Sequence, residues 1–261
     1  MSSQVVSRSD VDQIPVAKRP ATSPPQKPET WVLKVIMAVT GSVFVAFLLF
    51  HMAGNLKVYL PDAELHFNEY AHWLRGFLNP LLPGSSFLWA FRAVIALCLV
   101  LHVYAGTTIF FRARVARGGF GRAITAKWHA LTGRTMIWTG LIILCFIIFH
   151  LLDLTVGAKG VASKSFSGKA TYTLEDGEVV TNAYQNLIGS FERPAVAAFY
   201  IITMVLIAIH LSHGIWSIIN DFGGTASRTR SVFLVLAGLI ALVIVIGNAS
   251  IPLAVLAGVI S

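Results

Sequence analysis

Charged residues are scarce in this sequence: Asp, Glu, Lys and Arg make up 12% of its 261 residues, whereas hydrophobic residues make up 56%. A soluble globular domain has about 25% charged residues, because charge solvates its surface. The mean hydropathy of +0.72 agrees with this shortage. The composition therefore excludes an ordinary soluble enzyme and predicts an integral membrane protein.

Cysteine is nearly absent as well, with only Cys98 and Cys145 in the chain. Both lie within apolar segments, where a disulfide is not expected. A disulfide-stabilised extracellular fold is therefore excluded.

Negative charge is scarcer than positive charge, with 12 Asp and Glu against 20 Lys and Arg. The basic excess lies in the first thirty residues and in the connections 112–134 and 220–231, whereas 54–86 and 155–193 are close to neutral. Connections rich in Lys and Arg stay on the cytoplasmic side of a membrane. We therefore expect a multi-pass plasma-membrane protein with a cytoplasmic amino terminus and an outside carboxyl terminus. The net charge of +8 is interpreted as a topology signal, and nucleic-acid binding is not expected.

Long apolar runs dominate what is present. Each has about the 20 residues that an α-helix needs to cross about 30 Å of hydrocarbon. The runs are 31–53, 87–111, 136–154, 195–219 and 232–258. We predict an all-α membrane protein with five transmembrane helices, of which the first four form a cofactor-binding bundle. Residues 1–30 are polar, contain five prolines and are predicted to be a cytoplasmic arm before the transmembrane domain 31–261.

Four histidines lie one in each of the first four runs: His51, His102, His150 and His210. An imidazole in hydrocarbon is costly, so it is presumed to have a partner and a function. Four of them suggest axial ligation of haem iron, since each membrane-buried b-type haem needs two imidazoles. Because successive helices alternate in direction, His51 and His150 fall toward the outer face, and His102 and His210 fall toward the inner face. We name these the outer pair and the inner pair.

A repeated Thr-Gly dipeptide supports the placement of the histidines at two levels of the membrane, an outer and an inner one. Gly41 and Gly140, preceded by Thr40 and Thr139, each lie ten residues before the outer histidine of their helix. Ten residues span about 15 Å of helix, so these glycines are expected near the inner pair. Their missing side chains would leave room for a porphyrin.

Several segments resemble those of a known family. They are LLFHMAGN (48–55), NEYAHWL (68–74), LHVYAG (101–106), FHLLDL (149–154) and HLSHGIWS (210–217). They look like the membrane-anchor cytochrome b subunit of bacterial succinate dehydrogenase or fumarate reductase, respiratory complex II. The five-helix, di-haem b558 type of Gram-positive bacteria is the most similar, with the actinobacterial version nearest. The resemblance covers residue 31 to the end.

The resemblance implies two haem b groups, a distal one on His51 and His150 and a proximal one on His102 and His210. It also implies a flavoprotein subunit that oxidises succinate and an iron-sulfur subunit that relays the electrons. This chain would deliver them to menaquinone within membrane lipid, as a subunit of the enzyme that has no succinate or flavin site of its own. An oligomer of the whole complex is compatible with this interpretation.

Ionisable residues near the histidines are further candidates. Arg92 is expected to pair with a propionate of the outer haem, and His213 with a propionate or a partner subunit. Asp153 follows an outer histidine by three residues, and it is expected to steady that ligand by a hydrogen bond, to pair with Arg92, or to pass protons to the quinone. Asn55 and His72 are expected to join the quinone site.

Two alternatives stay open from the residues alone. Cys98, Cys145, His102 and His210 match the ligand set of a Rieske-type [2Fe-2S] centre, which would replace one or both haems. The other alternative is a metal-free anchor that only docks the dehydrogenase. A permease is disfavoured because the helices offer almost no polar path.

Overall fold

The computed structural model describes residues 28–119, 128–223 and 227–261. Most of the predicted arm 1–30 therefore lies outside the described residues. The same holds for the middle of the basic connection 112–134.

Five long helices make up most of the described chain and confirm the predicted all-α architecture. In chain order the helices are α1 (Thr30–Asn55), α2 (Ala63–Gly76), α3 (Ser86–Arg117), α4 (Trp128–His150), α5 (Ala183–Phe191), α6 (Pro194–Asp221) and α7 (Ser227–Leu256). The remaining described elements are a 3-10 turn (Leu56–Tyr59), a π-helical segment (Leu151–Val156) and a hairpin of strands β1 (Ala170–Thr173) and β2 (Val179–Thr181). Every helix except α2 and α5 contains a segment that is long and apolar enough to cross a membrane. Helices suit these runs because lipid cannot hydrogen-bond the backbone.

Large apolar side chains cover the outside of the long helices. Trp31, Phe50 and Trp138 expose 63%, 76% and 67% of their surface. Such exposure is costly in water, but it is the expected surface of a helix surrounded by lipid tails. The lengths and surfaces of the helices together describe a multi-pass membrane protein.

The four long helices that carry the histidines form one bundle. Helix α1 packs against α3 and α6, and α4 packs against α6. Helix α7 packs along α6 and also touches α1, and it buries Ala237, Ala241 and Ile244. At Gly247 a side chain would run into Met52 of α1, so the glycine permits this close approach.

A small cap of α2, the hairpin and α5 covers one end of the bundle. Asn68 at its centre is fully buried. Its side chain donates to Asn182 Oδ1 at 3.0 Å and accepts from the Tyr184 backbone N–H at 3.1 Å. The Tyr184 hydroxyl donates to the Ser261 carbonyl at 3.1 Å, which brings the last residue into the cap.

The helix that carries His150 does not continue as an α-helix to residue 154, as the apolar run suggested. It changes after His150 to the π-helical segment Leu151–Val156 and ends at Gly157 with φ +67. A side chain at Gly157 would collide with the ring of Phe166. The wider turn changes the direction of the side chains that follow His150, Asp153 among them.

Candidate functional site

The four histidines form two pairs inside the bundle. The ring centroids of His51 and His150 are 5.9 Å apart, and the ring planes meet at 89°. Those of His102 and His210 are 6.4 Å apart, with planes at 52°. These are the two pairs that the depth argument expected, joining α1 to α4 and α3 to α6.

Both separations suit one metal ion shared by two imidazoles. With metal-nitrogen bonds of about 2.0–2.1 Å, imidazoles on opposite sides of an ion have ring centroids roughly 6 Å apart. The surroundings are apolar, since Phe47 stacks on His51 at 5.3 Å and Phe146 stacks on His150 at 5.8 Å between centroids. Two imidazole ligands in an apolar bundle are the donor set of a bis-histidine haem. The residues present therefore fit two b-type haems.

Threonine hydroxyls lie behind the inner pair. Thr40 Oγ1 is 2.9 Å from His102 Nδ1, and Thr139 Oγ1 is 3.0 Å from His210 Nδ1. Each hydroxyl also donates to a backbone carbonyl one turn earlier in its own helix, at 2.6 and 3.1 Å. Because its single proton is used there, the oxygen accepts the proton of Nδ1. This leaves Nε2 unprotonated, which is the form that binds a metal.

Two glycines lie directly against the inner pair, at the level the sequence predicted. A Cβ at Gly41 would be 3.7 Å from His102 Cε1, and one at Gly140 would be 3.4 Å from His210 Cε1. A larger side chain at either position would therefore press on a histidine ring of the inner pair.

The outer pair has a different partner. His150 Nδ1 is 3.3 Å from the hydroxyl of Tyr200, which donates to Asp153 Oδ2 at 3.1 Å. The phenol proton is thereby used, so the Tyr200 oxygen is the acceptor for His150 Nδ1. The same carboxylate oxygen accepts from Ser190 Oγ at 2.5 Å, and Arg193 donates to Oδ1.

Asp153 forms its ion pair with Arg193, so the expectation that it pairs with Arg92 is wrong. The π-helical segment turns Asp153 toward the junction of α5 and α6, where Arg193 and Ser190 lie. Asp153 is 0% exposed and both of its carboxylate oxygens are hydrogen-bonded. It therefore presents no free oxygen to a quinone in this structure.

Arg92 lies instead over the ring of Trp89 and in the same region as a second arginine. Its guanidinium carbon is 4.9 Å from the ring centroid of Trp89. Burial lowers the pKa of Arg75 of α2, and the positive charge of Arg92 lowers it further. Within the described residues neither arginine belongs to an ion pair. Two positive charges in one region without an ion pair favour a carboxylate or another anion.

The other predicted site residues are spread over the two ends of the bundle. His72 belongs to the cap, where its Nε2 is 3.2 Å from Glu178 Oε2. Asn55 is the half-buried last residue of α1. His213 lies one turn from the inner pair on α6, with its ring 5.9 Å from that of Trp216.

The cysteines do not assemble with the histidines. Cys98 and Cys145 are free thiols, and Cys145 is exposed. No group of three or more His, Cys, Asp and Glu among the described residues is placed to hold a metal ion. One reason is that Cys145 follows Gly140, the residue beside His210, by five residues and so lies on another face of α4. The residues present therefore do not fit the Rieske-type centre that the sequence left open.

The chain is similar to a succinate dehydrogenase cytochrome b558 subunit. This relative comes from Bacillus subtilis strain 168, and it is 27% identical over 181 residues. The match covers 69% of this chain and 74% of the relative. No family model and no solved structure matches the chain. The relative's description as a cytochrome b subunit agrees with the paired histidines.

The side chains that hold the Nδ1 atoms were not predicted from the sequence. Thr40 and Thr139 were considered only as neighbours of glycine, although their repeat was the signal for a hydroxyl at the inner level. Tyr200 precedes His210 by ten residues, and the same 15 Å argument would have placed it at the outer level. Arg193 gave no comparable signal, because it lies in a connection far from Asp153 in sequence.

Proposed function

We propose that this chain is the di-haem membrane-anchor subunit of a succinate dehydrogenase and carries electrons from an iron-sulfur subunit to menaquinone. The observation that carries the proposal is the pair of facing imidazoles at each of two levels in an apolar bundle. The similarity to a succinate dehydrogenase cytochrome b558 subunit supports it.

His51 and His150 would hold one haem b, and His102 and His210 would hold the other. When bound, haem b supplies reversible one-electron redox chemistry. The chain's own residues orient the ligands: the hydroxyls behind the rings fix the tautomer and leave Nε2 for the metal. Aromatic neighbours of the rings, Phe47 and Phe146 at the outer level and Phe44 at the inner level, would limit the access of water.

Arg92, with Arg75 beside it, would receive a propionate of the outer haem. The support is that the charge of Arg92 acts on Arg75 at the outer end of α3, and neither arginine has an ion pair among the described residues. His213, one turn from the inner pair, would play the same part for the inner haem.

The soluble partners, a flavoprotein and an iron-sulfur subunit, would dock at the end of the bundle nearer the inner pair. Arg112, Arg114 and Arg117 lie there at the end of α3. By the positive-inside tendency this end is cytoplasmic, which would put the amino terminus inside and the carboxyl terminus outside.

Menaquinone would be reduced beside the outer pair, with Asn55 and His72 as candidate contacts. The support is the concentration of polar side chains at that end of an otherwise apolar bundle. Asp153 would act there through Tyr200, because its own oxygens are occupied. An inhibitor-bound structure should show the quinone ring near the outer pair; a ring bound only near Ser212 and Trp216 would refute this placement.

Optical spectra of four single variants test the haem assignment. His51→Ala and His150→Ala should each remove the same b-type centre, and His102→Ala and His210→Ala should each remove the other. Redox titration of the purified protein distinguishes the two centres. If His51→Ala and His102→Ala removed the same centre, the pairing would be wrong, and a wild-type spectrum without b-type bands would favour the metal-free anchor.

A further inference from the structure

The two histidine pairs differ in what lies behind their Nδ1 atoms. At the inner pair the acceptors are threonine hydroxyls that donate only to backbone carbonyls. At the outer pair the acceptor is Tyr200, whose hydroxyl donates to the carboxylate of Asp153. Among the residues that the structure describes, only the outer pair is therefore connected to charged side chains through its hydrogen bonds.

The hydrogen bond to Asp153 makes the Tyr200 oxygen a stronger acceptor for His150 Nδ1. Hydrogen bonds in a chain polarise one another, so a phenol that donates to a carboxylate has a more negative oxygen than one that does not. Outer-shell acceptors of this kind raise the basicity of a metal-ligating imidazole. A more basic ligand stabilises the oxidised form of a metal over the reduced form.

The charged end of this hydrogen-bond network, Asp153 and Arg193, is held in place by several contacts. Asp153 is 0% exposed and Tyr200 is 5% exposed, whereas the side chain of Arg193 is 31% exposed. The Arg193 guanidinium also donates to the Val161 carbonyl at 2.6 Å and to the Ser190 carbonyl at 3.2 Å. A fixed cation near the surface thus balances the buried carboxylate behind the ligand.

We propose that Tyr200, Asp153 and Arg193 are positioning residues that set the reduction potential of the outer centre separately from that of the inner centre. The inference rests on the proposed function, in which the outer pair holds a haem. It adds a regulating network to that site, made of three residues that do not touch the metal.

The two charges predict shifts of opposite sign. Asp153→Asn removes the negative charge and leaves Arg193 uncompensated, which favours the reduced state and raises the midpoint potential. Arg193→Gln leaves the carboxylate uncompensated, which favours the oxidised state and lowers the midpoint potential. Tyr200→Phe removes the acceptor of His150 while keeping the ion pair, and it should raise the midpoint potential.

Potentiometric titration of the assembled complex, followed optically, tests the proposal. Each variant should move the midpoint potential of the outer centre and leave that of the inner centre in place. Tyr184→Phe is the matched control, because it removes a phenol hydroxyl that bonds to the Ser261 carbonyl in the cap. This control should move neither midpoint.

Equal signs for Asp153→Asn and Arg193→Gln would overturn the proposal, as would a Tyr200→Phe variant with an unmoved outer midpoint. Tyr200→Phe decides the question by itself if the charge variants do not assemble. Wild-type protein without an outer b-type centre would overturn both this inference and the proposed function. An outer centre whose midpoint potential is unchanged by all three substitutions would overturn this inference and leave the proposed function standing.

Discussion

Under the proposed function, replacing Thr139 with valine should weaken the inner haem centre and spare the outer one. The Thr139 hydroxyl accepts from His210 Nδ1 at 3.0 Å. Valine keeps the branched shape of the side chain but removes the acceptor. His210 then either leaves its Nδ1–H unpaired or turns away from the geometry that suits a shared metal. Thr139 is 5% exposed, so water does not readily replace the lost oxygen.

The size of the effect follows from the burial. Leaving a buried donor unsatisfied costs about 1–3 kcal/mol. Loss of a hydrogen bond behind a metal-ligating histidine lowers metal affinity by about 10–100-fold. The two ranges agree, because each factor of ten in affinity corresponds to about 1.4 kcal/mol. We therefore expect inner-haem retention to fall by one to two orders of magnitude.

Haem transfer to an excess of a haem-scavenging protein measures that retention, and reduced-minus-oxidised spectra show which centre is lost. Thr139→Ser keeps the hydroxyl and serves as the matched control. Thr40→Val, behind His102, should give the same loss. The reasoning is refuted if the valine and serine variants retain the inner haem equally, or if the valine variant loses the outer haem instead.

The remaining predictions concern the cysteines, the cap and the end of the π-helical segment. Cys98→Ala and Cys145→Ala should leave the redox spectrum unchanged, since neither thiol joins a metal-binding group among the described residues; loss of a [2Fe-2S] paramagnetic resonance signal would contradict this. Asn68→Leu should lower the free energy of unfolding by about 1–3 kcal/mol, measured by thermal unfolding in detergent, because it leaves a buried backbone N–H without its acceptor. Gly157→Ala should destabilise by more than about 1 kcal/mol, because φ is +67 and an aromatic ring occupies the Cβ position. Gly160→Ala, also at positive φ but in open space, should cost less, and equal losses would show that the ring contact is unimportant.

The amino-acid sequence predicted the helices and the histidine pairs well because both depend on local quantities. An apolar run of sufficient length in lipid has few alternatives to a helix, since its backbone must satisfy its own hydrogen bonds. The rise of about 1.5 Å per residue then converts position in a run into depth. Depth alone was enough to match His51 with His150 and His102 with His210.

Side-chain partners were harder to predict, because they depend on rotation about each helix axis and on where connections return. The sequence offered Arg92 as the cation for Asp153, since both lie in apolar runs. In the structure the cation that pairs with Asp153 is Arg193, which lies in the connection just before α6. Sequence spacing along one helix carries no information about such a return.

The sequence by itself thus determined the membrane class, the five long helices and the two levels of histidine. Only the tertiary structure decided which groups stand behind each imidazole: Thr40 and Thr139 at the inner level, and Tyr200 with Asp153 at the outer level. It also left Cys145 exposed and formed no metal-binding group of three or more His, Cys, Asp and Glu among the described residues. Hydrophobic length and helical rise are properties of one segment, whereas a hydrogen bond between segments exists only after the bundle has packed.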